Sequence, residues 1–174
     1  MTESNLLTQL SQASHGTTRP HTTNDKSPWA SFLDTLDLNP KMTERETMDL
    51  FAKTLSSAKS DWKDSNDNTL LMHMASRGKT AIVKRLIHEL YANVNATNKD
   101  GMTALHMAAR GGFQDICSEL LKNGSMFLAS KKNVNGDTAA DLAQSHGYPD
   151  VAKALGIKAT SSNLFMNHNY PAGR

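Results

Sequence analysis

Seven histidines, one cysteine and a Gly78-Lys79-Thr80 triplet are the residues of this 174-residue chain most suited to chemistry. Imidazole and thiolate hold zinc when they recur at short, fixed spacings, and neither an HxxxH nor a CxxC pair is present. Gly-Lys-Thr ends a phosphate-binding loop only when another glycine stands five residues earlier, after a buried strand; that position is His73. Serines, histidines and aspartates are numerous, yet no spacing brings a nucleophile and a base together. Lys79, Lys84 and Arg85 could form a basic spot for nucleic acid, but no aromatic platform stands near them. Cys117 falls in an apolar register with Ile116, Leu120 and Leu121, which predicts a buried, inert thiol. These residues assign no catalytic group, metal site or cofactor.

Composition points the same way. The chain is 38% hydrophobic and 21% charged, as expected of one soluble domain, with a mean hydropathy of -0.51. A net charge of +2 is too small to imply nucleic acid by itself. A single cysteine excludes an internal disulfide. The opening residues carry no basic segment followed by an apolar stretch, and no run approaches the roughly 18 apolar residues of a membrane span. The expectation is a cytoplasmic protein without a membrane segment.

The elements that would position any site are helical. Residues 1–26 have the Ser/Thr/Asn/Gln-rich composition of a flexible arm. Ser27-Pro28 is a helix-start signal, followed by Trp29, Phe32, Leu33 and Leu36 on one helical stripe. Thr43 and Glu46 form a capping box for a second helix, whose Met48, Phe51, Ala52 and Leu55 repeat the stripe, with Lys53 and Lys59 towards its end. The two helices, within residues 27–63, would form a cap on the rest of the chain.

From about residue 64 the sequence is periodic. Thr69, Thr103 and Thr138 stand 34 and 35 residues apart, each in a similar phrase, and Gly78, Gly112 and Gly147 come after them at matched offsets. Aliphatic pairs are next: Ile82-Val83, Ile116-Cys117 and Val151-Ala152. Such a period means stacked units that cannot bury their apolar faces alone. In the second copy Thr103 caps a helix over residues 104–110, Gly111-Gly112 reverses the chain, and another helix runs from Phe113 to Asn123. Gly124 stands there as a left-handed cap. The third copy is expected to end at Leu155-Gly156, leaving residues 159–174, with Leu164-Phe165-Met166 and Tyr170-Pro171, as a flexible tail.

Thr103-Ala104-Leu105-His106-Met107-Ala108-Ala109 closely resembles the ankyrin-repeat signature, with Ala104 in place of its proline. Gly112, Ile116, Leu120-Leu121 and Asn123-Gly124 match the pattern downstream. Tyr91-Ala92-Asn93-Val94-Asn95-Ala96 resembles the loop that ends a repeat. The first copy departs most: Asp67 replaces the turn glycine, and Met72-His73 replaces a leading histidine. The resemblance implies an all-α solenoid of stacked antiparallel helix pairs over residues 64–158, divided at about 64–97, 98–132 and 133–158. It also implies that His106 orders its turn by hydrogen bonds; His73 and His88, flanking apolar registers, are expected to be partly exposed.

Members of that family are overwhelmingly non-catalytic protein-binding scaffolds, recognising partners through loop tips and the exposed side of the first helices. Carried onto this chain, the face comprises Ser65, Asn66, Asn68, Ser76 and Arg77 from the first copy. Thr97, Lys99, Asp100, Met102 and Arg110 come from the second. Lys132, Val134, Asn135, Asp137, Ser145 and His146 come from the third. Arg77, Lys99, Arg110 and Lys132 make the set net basic against Asp100 and Asp137. The implied partner is therefore another protein with an acidic patch, bound by a chain that is monomeric alone. Nucleic acid, membrane and small-molecule substrates are not expected. A second reading is a bacterial effector that reaches a host cell by non-classical export, its tail serving as the signal.

Overall fold

The computed structural model describes residues 29–55 and 62–164. The arm over 1–26, the Ser27-Pro28 start, Lys59, and the Phe165-Met166 and Tyr170-Pro171 parts of the tail lie outside them. Among the described residues the chain forms eight α-helices and one short 3-10 turn.

α1 (Ala30–Leu38) buries Phe32, Leu33 and Leu36, with Trp29 just ahead of its first turn. α2 (Glu44–Leu55) opens on the expected capping box: the Thr43 N–H donates to Glu46 Oε2 at 2.8 Å, and the Glu46 N–H to Thr43 Oγ1 at 3.3 Å. The box lowers the Glu46 pKa, since both groups of Thr43 favour the carboxylate. The buried face of α2 is rotated from the one the pattern predicts. Thr47 is buried beside Phe51, and Ala52 is exposed. The Thr47 hydroxyl reaches this apolar position by donating to the Thr43 carbonyl at 2.7 Å. Phe32 and Phe51 meet edge-on at 5.8 Å, which joins the two helices.

Three helix pairs complete the fold. The inner helices are α3 (Leu70–Ser76), α5 (Ala104–Arg110) and α7 (Ala139–Ser145). Thr69, Thr103 and Thr138 cap them, each hydroxyl accepting the N–H three residues on. The outer helices are α4 (Thr80–His88), α6 (Gln114–Asn123) and α8 (Pro149–Leu164). α5 packs between α3 and α7, and α4 between α2 and α6, so α2 continues the outer layer. Leu105, Ile82, Leu86, Ile116 and Leu120 are fully buried between the layers. At about 25 cal/mol per Å² of apolar surface, this shared interior stabilises the stack more than any single bond.

Gly112 turns α5 into α6 at φ +73, a backbone state that favours glycine, and a Cβ there would strike the Tyr148 ring at 2.4 Å. Gly124 is different from its expected role: its φ is -89, not left-handed. Glycine is needed there for space, because a Cβ would meet Leu128 Cδ2 at 2.4 Å where the 3-10 turn (Leu128–Ser130) packs against α8 and α7. The third pair also does not stop at Leu155-Gly156. α8 runs through that glycine to Leu164, into the segment assigned to the tail, so the glycine lowers helix propensity without ending the helix.

Candidate interaction face at the loop tips

Each inner helix is preceded by a hairpin tip built on one side chain. Asp64 Oδ1 accepts the N–H groups of Asn66 and Asn68, both at 2.8 Å. Asn98 Oδ1 does the same for Asp100 at 3.0 Å and Met102 at 2.8 Å, and Asn133 Oδ1 for Asn135 and Asp137, both at 2.9 Å. Asp and Asn suit this position because their short side chains can copy a backbone turn. Asp67, Gly101 and Gly136 complete the three turns at φ +63, +70 and +87. Asp67 thus adopts the geometry of the glycine it replaces, at a small cost that Asp tolerates better than most residues.

The tips are tied to one another. The Lys99 N–H donates to the Asn66 carbonyl at 3.1 Å, and the Val134 N–H to the Asp100 carbonyl at 3.0 Å. Asn98 Nδ2 donates to Asn68 Oδ1 at 2.8 Å, and the Lys99 ammonium to the Ser65 carbonyl at 2.6 Å. The result is a row of tips at a fixed pitch. Asn66, Asp100 and Asn135 occupy the same place in successive tips, are exposed, and have no side-chain hydrogen bond among the described residues.

The family with the description "Ankyrin repeats (3 copies)" matches residues 44–127 and, in a second register, residues 71–164. Those spans take in well over half of the chain. It is an ankyrin-repeat protein. The match starts at the first residue of α2, so the second helix of the sequence-expected cap falls inside the repeat pattern. A probable E3 ubiquitin-protein ligase of rice, XBOS34, is 31% identical over 115 residues, 65% of this chain and 22% of the relative. The human transient receptor potential cation channel subfamily A member 1 is 32% identical over 95 residues, covering 53% of this chain and 8% of the channel. The ankyrin repeat and KH domain-containing protein mask-1 of Caenorhabditis elegans is 32% identical over 92 residues, 53% of this chain and 4% of that protein. The chain therefore spans less than a quarter of each of these relatives. Ankyrin repeats are protein-interaction modules, and no helix among the described residues is long and apolar enough to cross a membrane.

The ankyrin fold sorts the sequence-expected face into two groups. Asn66, Lys99, Asp100, Arg110, Lys132, Asn135 and His146 are exposed. Met102 is not: it is 7% exposed, packed behind its own tip with Asn133 Nδ2 at 3.5 Å from its sulfur. Its place is that of Asn68 and Asp137, the tip position that faces the next repeat, so it belongs to the stack rather than to a contact surface. Asn68 and Asp137 are likewise half-buried and bonded, Asn68 Nδ2 to Asp64 Oδ2 at 2.9 Å and Asp137 Oδ2 to Asn133 Nδ2 at 3.4 Å. His146 is tied to its own helix end, with Nδ1 at 2.9 Å from the Leu142 carbonyl.

Arg77 is held internally. Its guanidinium donates through Nε to Asp37 Oδ1 at 3.0 Å and through NH2 to Asp37 Oδ2 at 2.9 Å, bridging α1 and the first repeat. The same group lies 3.3 Å from His73 Nδ1, whose Nε2 is 2.9 Å from Asp64 Oδ2. His73 is buried at 7%, against the expected partial exposure, because the Trp29 ring covers it at a centroid distance of 5.1 Å. Burial raises the Asp64 pKa, but the bonds from His73, from the Asn68 side chain and from two amides outweigh it, leaving a carboxyl well below its usual range. Asp64, Asn98 and Asn133 were not expected at the site; their 34- and 35-residue spacing was the available signal.

His106 acts as its motif implies. Its Nδ1 accepts the Thr103 N–H at 3.2 Å and lies 2.8 Å from the Thr103 hydroxyl, which fixes the Nε2–H tautomer. Burial lowers its pKa, against the pull of the Asp137 and Lys131 backbone groups. His88 is largely exposed, as expected, and pairs with Glu119 at 2.8 Å, which helps lower the Glu119 pKa. Cys117 is buried and its thiol is pushed up to about 12 by desolvation.

Proposed function

We propose that the chain is a non-catalytic binding module, acting as an adaptor, inhibitor or assembly factor, whose partner docks along the tips and the adjoining ends of the inner helices. The observation that carries this reading is the equivalence of Asn66, Asp100 and Asn135. Three polar side chains, set at a fixed pitch and given no internal partner, suit the reading of another protein's surface. Arg110 and Lys132 add two exposed cations with no side-chain hydrogen bond among the described residues. Arg77 and Lys99 are engaged within the stack and contribute less. The partner is accordingly a protein with an acidic patch that meets Arg110 and Lys132. A face this short depends on a few anchors rather than on area.

The test is site-directed photo-crosslinking from position 100, compared with the outer-helix position 118. A protein crosslinked from the tip and lost in an Arg110→Glu/Lys132→Glu variant that still melts cooperatively supports the reading. Equal crosslinking from both positions, or full retention by the variant, moves the binding surface elsewhere.

A further inference from the structure

We propose that Asn135 is a site of self-modification, at which its side-chain amide converts to aspartate and isoaspartate through attack by the backbone nitrogen of Gly136. Only Asn123 and Asn135 precede a glycine among the described residues, and the fold treats the two differently. Asn123 is held: its Nδ2 donates to the Glu119 carbonyl at 2.9 Å and lies 3.1 Å from Glu119 Oε1. The nitrogen that would attack it, that of Gly124, donates to the Leu120 carbonyl at 2.8 Å, and the Leu128 side chain covers that glycine.

Asn135 shares only one of these restraints, the hydrogen bond on the attacking glycine nitrogen. It is exposed at the tip, and among the described residues its amide has no hydrogen bond and nothing lies within 4 Å of where a Cβ on Gly136 would be. One bond must open, that from the Gly136 N–H to the Asn133 carbonyl at 3.0 Å. It closes an exposed turn, the class of bond that opens most readily.

In the reaction the Gly136 nitrogen bonds to Asn135 Cγ and gives up its proton, while the C–N bond of the side-chain amide breaks and ammonia leaves. Water then opens the resulting five-membered imide at either carbonyl, giving aspartate or isoaspartate. The net change is amide plus water to carboxylic acid plus ammonia, and the ionised product adds one negative charge to the tip. Asp100 already holds the equivalent place in the second tip, so the product carries acid at two neighbouring tips. The modification stands on the chain's own geometry. Its consequence, weaker binding of an acidic partner, rests on the function proposed above.

The experiment ages the folded, full-length chain at mildly alkaline pH and follows isoaspartate by enzymatic methyl labelling and fragment mass spectrometry. Signal gained at Asn135 ahead of Asn123, abolished by Asn135→Gln and equalised between the two sites in denaturant, is the expected result. Equal rates in the folded chain, or reaction at Asn135 only after denaturation, overturns the proposal. Binding is read separately with Asn135→Asp. If modification proceeds but this variant binds the crosslinked partner unchanged, the partner chemistry fails and the modification stands.

Discussion

Arg77 and Asp37 meet through two parallel hydrogen bonds, at 3.0 and 2.9 Å, although forty residues separate them in the chain. This fork fastens α1 to the first inner helix, and its other side faces His73. Asp64, His73 and Arg77 stand where the second repeat has Asn98, Met107 and Gly111, so three of the ways in which the first repeat differs adjoin one another in space.

Removing the fork should loosen α1 selectively. Asp37 is 45% exposed at its side chain, so solvent screening limits the loss in Asp37→Ala to about 1 kcal/mol. Hydrogen exchange checks this: amides of α1 should exchange faster while those of α5 and α6 hold. Uniform acceleration would mean that α1 and the repeats open as one unit.

Acid should weaken the first tip. The Asp64 pKa is lowered in the folded chain, so its contribution is complete above the ordinary value of 3.8 and is lost as pH falls below it. Asp64→Asn keeps a turn that Asn98 and Asn133 show to be workable, but loses the carboxylate facing His73. Melting temperature followed across this acid range should fall more steeply for the wild type than for the variant; parallel curves would remove the carboxylate from the account.

His106 gives a second pH window. Its folded pKa is lowered, so the unfolded chain takes up the proton first, and stability is complete above 6.5 and declines as pH falls through that value. His106→Gln should flatten the decline while costing about 1 kcal/mol for the lost cap. Chemical denaturation at several pH values near neutrality measures both.

Gly112→Ala and Gly124→Ala should both destabilise, for different reasons. The first combines a left-handed backbone with the Tyr148 ring and should cost about 1–3 kcal/mol. The second has ordinary dihedrals, but its Cβ would meet the Leu128 methyl at 2.4 Å and the Leu120 carbonyl oxygen at 2.9 Å, so pairing it with Leu128→Ala should recover only part of the loss. Double-mutant melts decide between the two accounts.

Cys117 should stay silent to thiol reagents in the folded chain. Desolvation keeps its thiol protonated to about 12 and the side chain is buried, so labelling should follow global unfolding alone. Labelling that outpaces unfolding would reveal a local opening of α6.

Features decided within one turn of chain were legible in the sequence. The threonine caps, the glycines of the helix turns and the aliphatic pairs all stand where the period places them. Features decided between repeats were not. The pattern of α2 admits either Thr47 or Ala52 on the inner face, and its packing against α1 and α4 buries Thr47. Met102 and Arg77 are read as surface residues until the neighbouring tip and α1 engage them. Gly124 carries the letter of a left-handed cap, while Leu128, four residues on, sets its actual role.

Phe113 lies against Gly78, and Tyr148 against Gly112, so the first two glycine turns are each roofed by an aromatic ring from the repeat after it. Gly147, in the third repeat, has nothing within 4 Å of its missing Cβ among the described residues. The array therefore has a polarity that its near-symmetric helices conceal: shelter passes backwards, from later units to earlier ones. Shortening the chain from its carboxyl side strips a roof from the unit left behind, whereas shortening it from the other side leaves every remaining roof in place.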